Sequence, residues 1–302
     1  MKHLLFGLLL TAAPPLEQQP LPNAQSFSRS VPAVIFATLT AAEMMDDKTI
    51  RFDAAKLRHF RYTEKETRVA LDSKGNVKKT DVDVYEVIRG PEVWQIYRRQ
   101  ISRNGIPLTE KELQQQDREQ KKWEQEELRE AKKQAQARRN ARPPDPAHQK
   151  KEEDELIRLF SDMYEIQVAG REVLHERPTI LLTFNPKPGF KTKDTVLKLL
   201  HHLSLRAWLT EQNHEIVKIE CTLLEPVSLG LVLAKFQSGS KLVLERQMVR
   251  EGLWAPSRID ATVRARILLV KGLNERQIME YSDFKEYSVE TILRVEGPVQ
   301  DE

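Results

Sequence analysis

The sequence predicts an α+β chain that is mainly antiparallel β: a curled meander or incompletely closed half-barrel, with covering helices and a charged helical insertion. Three observations predict it. From Ser204 to Thr291, short alternating apolar segments are separated by turn residues. Within that run Ile259, Ala261, Val263, Ala265 and Ile267 share one side while Asp260, Thr262, Arg264 and Arg266 take the other, the period-two pattern of a half-buried strand. Between residues 109 and 160 the composition changes to Glu, Lys, Gln, Arg and Ala, which favour exposed helix.

The chain begins with Lys2 and His3 before an apolar run, Leu4 to Ala13, too short to anchor in a bilayer and of the length of a secretory signal. Residues 1–24 are therefore expected to be a signal peptide, with Ala13 and Ala24 as cleavage candidates. An alternative places the signal core at Val31 to Ala42 with its end near 42; Val31 to Met45 reads equally as an N-terminal helix packing on the sheet. No cysteine lies just downstream of any of these sites, which argues against a lipidated N-terminus. Residues 25–302 are read as a single β domain interrupted by the insertion at 109–160, exported to the periplasm of a Gram-negative-type envelope, without a transmembrane anchor.

The first β region is Phe60 to Leu71, Val82 to Ile88 and Val93 to Ile101, with turns at Asp72 to Asn76 and Asn104-Gly105. Thr109 and Glu112 then form a capping-box pair that predicts a helix start. Lys111 to Arg142 continues it with few apolar residues, among them Leu113, Trp123 and Leu128, and Pro143, Pro144 and Pro146 stop it. Lys150 to Phe160 begins another helix. Acidic residues alternate with basic ones up to Glu130, so like charge opposes phosphate binding along this arm and no nucleic-acid partner is expected. An envelope protein partner meeting 109–160 remains open.

Tyr164 to Leu174 and Thr179 to Phe184 read as a strand pair, and Lys193 to Leu203 as a short helix. Strands are expected at Leu205 to Thr210, Glu215 to Glu225, Leu229 to Phe236, Lys241 to Arg250 and Ser257 to Val270, with one or two more between Gln277 and Arg294. The turns fall at Glu211 to Asn213, Ser238-Gly239, Glu251-Gly252 and Gly272 to Asn274. Connections this short predict that sequence neighbours pair, giving a simple meander. Twist makes so long a sheet curl or demand a covering layer.

The segments Tyr62-Thr63-Glu64, Asn104 to Leu108, Leu205-Arg206-Ala207-Trp208-Leu209, Leu224 to Ser228, Gly252 to Arg258 and Tyr281-Ser282-Asp283-Phe284 resemble exported bacterial proteins of the LolA-like superfamily, the outer-membrane lipoprotein-sorting carriers. The run from Trp208 through the turn into Ile216 to Glu220 is similar to that family's return-strand unit. The resemblance spans most of the chain after the signal and implies a half-barrel with helices on its hydrophobic face, carrying or sensing acyl chains of lipid or lipoprotein. The insertion 109–160 is an addition to the simple carrier, and no ligand-contacting residue transfers.

The residues fit such a ligand without a motif, because each buried methylene contributes about 0.8 kcal/mol and no placed polar group is required. Leu229 to Phe236 is apolar on both faces, Leu229, Leu231 and Leu233 against Val232, Ala234 and Phe236, and Leu229, Leu231, Leu233 and Phe236 are the candidate cavity lining together with Trp254 and Ile259. No catalytic residue, metal ligand or cofactor is expected. His201-His202 are adjacent and diverge by about a hundred degrees on a helix. His214-Glu215 lie in a turn. Cys221, the single cysteine, shares its expected side with Val217, Ile219 and Leu223 and reads as a small buried group. No phosphate loop, nucleophile elbow or zinc spacing occurs.

Overall fold

The computed structural model describes residues 57–90, 96–139, 158–193, 195–229, 234–267 and 271–287. The expected signal peptide, its alternatives and the segment Pro143 to Pro146 lie outside them. Among the described residues thirteen strands form one antiparallel sheet that does not close. They are β1 (Phe60–Leu71), β2 (Val77–Arg89), β3 (Ile96–Arg103), β4 (Ile106–Pro107), β5 (Tyr164–Leu174), β6 (Arg177–Pro186), β7 (Leu203–Thr210), β8 (Ile216–Leu223), β9 (Val227–Leu229), β10 (Ala234–Phe236), β11 (Lys241–Arg250), β12 (Leu253–Ile267) and β13 (Lys271–Glu286). The helices are α1 (Glu110–Arg139), a helical segment at 158–163 (α2) and α3 (Thr195–His201).

The lateral order is β4-β3-β2-β1-β13-β12-β11-β8-β7-β6-β5. This corrects the simple meander in two places. First, β1 pairs with β13, so the N-terminal strands extend the sheet from its last strand. Second, Leu229 to Phe236 is not one strand: β9 and β10 pair with each other, and β8 pairs directly with β11. The cause is unequal length. β12 runs past the end of β11, and β10 takes up the edge left at Ala265 to Ile267. Gly272 to Asn274, expected as a turn, already pair in β13 with Ala265 to Arg264 and its neighbour Arg266.

The glycine turns form as expected where positive φ is needed, at Gly105 (φ 80) and Gly252 (φ 71). The β5–β6 hairpin instead turns on His175 and Glu176, both left-handed at φ 49 and 62. A bulge shifts register between Trp208 and Leu209 against Lys218 and Ile216. It moves Val217 out of the row of Ile219 and Cys221 and into a different cluster, correcting the expected side.

The predicted capping box starts α1: Glu112 N–H donates to Thr109 Oγ1 (3.4 Å) and Thr109 N–H to Glu112 Oε2 (2.9 Å). At about 1.5 Å per residue the thirty-residue helix is about 45 Å long. Its second turn seals an open strand edge. The Gln100 N–H donates to Gln116 Oε1 (2.9 Å), and Gln116 Nε2 donates back to Gln100 O (3.1 Å), so one side-chain amide takes the place of a neighbouring strand. Asp117 holds Arg99 through two bonds of 2.9 Å and accepts from the Tyr97 hydroxyl.

Candidate functional site: the inner face of the sheet

Adjacent residues of a strand point to opposite faces, so the sheet has an inner face carrying Leu182, Ala207, Ile219, Leu244 and Ile259 and an outer face carrying Leu181 and Trp208. On the inner face α2 contributes Phe160 and Met163 and α3 contributes Leu200 to one apolar cluster spanning β5 to β8, β11 and β12. Phe160, Tyr164 and Phe184 form its centre, with ring centroids 5.1 and 6.3 Å apart, and the Tyr164 hydroxyl donates to Leu200 O, tying β5 to α3. Burial pushes that phenol well above its ordinary pKa.

Towards β13, β1, β2 and β3 the same face becomes ionic. Every second residue of β1 from Phe60 to Glu66 is buried, and the row passes from Phe60 and Tyr62 to Glu64 and Glu66. Arg98 of β3 reaches both carboxylates, with Nη2 at 2.6 Å from Glu64 and 2.8 Å from Glu66, and its guanidinium stacks 3.3 Å from the Tyr85 ring centroid. Asp83 accepts from Arg68 and from Gln100 (2.8 Å), while Gln277 donates to Glu66 (2.8 Å). Burial would raise the Glu66 carboxyl, but the hydrogen bond and charge of Arg98, with Arg68 and Gln277, outweigh it and hold it below the usual carboxylate range. Tyr62 bridges the two halves: Arg89 Nε donates to its hydroxyl (3.2 Å), and its ring stacks on Phe284 at 4.9 Å.

Sequence patterning missed this cluster because Thr63, Lys65 and Thr67 on the other side of β1 are as polar as Glu64, Glu66 and Arg68. The one local signal is chemical: a strand with two alternate carboxylates needs cations on neighbouring strands if that face is covered.

The expected lining residues are dispersed. Ile259 lies in the inner apolar cluster. Phe236 is half-buried and pairs with Ala265, six positions along the strand from Ile259. Leu229 ends β9 opposite Ala234, and Leu231 and Leu233 lie outside the described residues. Trp254 joins the outer-face cluster with Leu181, Trp208 and Val217. Its indole Nε1 is buried with no hydrogen-bond acceptor among the described residues, which costs about 1–3 kcal/mol.

Among the described residues no group of three His, Cys, Asp or Glu side chains could hold a metal ion, and no helix is long and apolar enough to cross a membrane. Burial, with the Glu220 charge, pushes the Cys221 thiol far up. We expect Cys221 to resist thiol reagents such as dithionitrobenzoate in the native protein and to react at once in 6 M guanidinium; fast native labelling would refute its burial.

No protein-family pattern and no curated protein matches the chain. Solved structures similar to it include a domain assigned to outer-membrane lipoprotein sorting from Vibrio parahaemolyticus, at 10% identity over 88% of this chain and 94% of that one, with TM-score 0.28. A LolA superfamily protein from Nitrosomonas europaea is 14% identical over 78% of this chain and 91% of its own, with TM-score 0.23. A DUF1329 family protein from Desulfovibrio piger ATCC 29098 is 11% identical over 85% and 94%, with TM-score 0.24. The first two of these are of the LolA and lipoprotein-sorting type that the sequence resembles. Scores this low superpose too little of the chain to carry an argument about the site, and the fold stands on the strand pairings above.

Proposed function

We propose that the protein is a non-catalytic, carrier-like binding protein of the cell envelope that receives acyl chains of lipid or lipoprotein on the inner face of its open sheet. The observation that carries this reading is the way that face is covered. An extended apolar surface is closed by two short helical pieces, α2 and α3, whose Phe160, Met163 and Leu200 could be exchanged for ligand methylenes at similar apolar cost. Ile259 and Phe236 would extend the lining along β12, and Leu229, Leu231 and Leu233 are proposed as further lining residues. In this reading residues 1–24 direct export to the periplasm, with 42 as the alternative end, and 25–302 form one domain with 109–160 inserted.

The test is native mass spectrometry, with organic extraction, of the mature protein purified from a bacterial periplasm. A stoichiometric acyl-bearing adduct is the expected result. A clean apo mass, with no uptake of added palmitate or phospholipid, would overturn the reading.

A second reading, an interaction platform acting through the arm, draws on α1 itself. Gln116 and Asp117 fasten its start to β3, while most described side chains beyond them are exposed and charged. Replacing 118–157 by a short flexible linker spares Gln116, Asp117 and the buried Phe160, and should then leave a folded domain that no longer captures its envelope partner; unchanged capture would remove this version.

A further inference from the structure

The outer face is an ion ladder. Arg206 lies near Glu172 and Glu220 at 4.0 and 3.6 Å, Lys218 near Glu220 and Glu245 at 3.0 and 3.8 Å, and Arg246 near Glu215 at 3.8 Å. Trp208 fits the same scheme: its indole donates to Glu172 (2.7 Å), and Arg206 and Lys218 sit 4.7 and 4.8 Å from its ring centroid.

Its neighbour Trp254 departs from that scheme. It is 3% exposed, and its Nε1–H meets no acceptor among the described residues. Arg177, the first residue of β6, lies 5.5 Å from the Trp254 ring centroid. Arg177 is exposed, and the contact made by its guanidinium nitrogens is a long one to the Met248 sulfur at 3.9 Å, with no carboxylate of the described residues in ion-pair range. Leu174, Leu181 and Met248 surround the pair with apolar surface.

We propose that Trp254 and Arg177 form an oxyanion-binding subsite on the outer face. An indole N–H has no acceptor capacity and a guanidinium has none, so the missing partner must supply lone pairs and negative charge, which a carboxylate or phosphate does. Arg177, long and exposed, swings off the ring to pair with the anion, and the vacated space brings an anion oxygen to the indole N–H. The aliphatic walls accommodate the first carbons of an attached chain. The source is either a free anion or the head of an anionic amphiphile. The subsite lies on the face opposite the apolar cluster, so it stands or falls separately from acyl-chain binding there.

The test uses the full chain labelled with 15N at its four tryptophans. The Trp254 indole signal is assigned with Trp254→Phe, and the protein is titrated with sodium phosphate, sodium octanoate and 1-octanol. The expected result is a saturable downfield shift of the Trp254 indole proton with an anionic probe. Arg177→Gln should weaken that binding by about tenfold or more, as loss of a charge-assisted contact does, and leave the other three indole signals in place. Saturation by phosphate alone identifies a free-anion site, and saturation by octanoate only identifies an amphiphile head. Absence of any shift, an equal shift with octanol, or unchanged affinity in Arg177→Gln would overturn the proposal.

Discussion

Phe184→Ala is expected to lower the free energy of unfolding by about 3–5 kcal/mol, measured by urea denaturation. Phe184 is fully buried between Phe160 and Tyr164, so its loss removes both ring contacts and leaves a cavity between β6 and α2. The matched control is Val173→Ala on the edge strand β5, where 57% of the residue is exposed and the expected change is within about 0.5 kcal/mol. Equal costs at the two positions would mean that the inner face is not a packed core. The same variant bears on ligand binding, because the space it opens lies on the face proposed to receive acyl chains and should strengthen their uptake.

Arg98→Met is the second large effect, and its sign depends on pH. Removing the guanidinium leaves Glu64 and Glu66, both nearly enclosed, without their shared cation. The expected loss at pH 7 is about 3 kcal/mol, the low end for a broken buried pair because Arg98 itself keeps some contact with water. In the native protein the Glu66 carboxyl is held below its ordinary value. Its contribution is therefore fully present above the unfolded carboxylate pKa of about 4.3 and is lost as pH falls through the folded one. In the variant Glu66 has lost its main cation, so acid protonates it more readily and relieves part of the defect, and the gap between the two proteins should narrow from pH 7 towards pH 4. Adding Glu64→Gln and Glu66→Gln to Arg98→Met should restore most of the loss at pH 7. Additive losses, or a gap that does not change with pH, would show that the three residues do not act as one unit.

Local chemistry made much of the fold legible. The strand Phe60 to Leu71, the Thr109 cap and the turns at Gly105 and Gly252 each rest on a few consecutive residues whose preferences agree. The partnership of β1 with β13 has no such signature, since which strand meets which is decided by the whole sheet. The His175-Glu176 turn was hidden because neither residue advertises left-handed backbone, and the bulge at Val217 because one extra residue leaves the alternation looking intact. Of the candidate lining, Ile259 was visible as part of a long alternating strand. Trp254 was separable from it by the same period: five positions from Ile259, alternation alone puts it on the opposite face, where the structure has it.

The pairing of β1 with β13 also fixes an order of events. Arg61 meets Lys285 and Ala70 meets Glu275, so the contacts that join β1, β2 and β3 to the rest of the sheet close loops of more than two hundred residues. Such contacts form late and slowly, because the entropy of closure comes before any reward. A growing chain can assemble β5 to β8 while it is still being made, but β1 has no neighbour on its outer side until the last strand is released. Until then its unpaired edge is a template for other extended chains. Folding is thus complete only when β1 and β13 are both free in the same compartment, and a chaperone that guards extended segments would find its natural client in β1, β2 and β3.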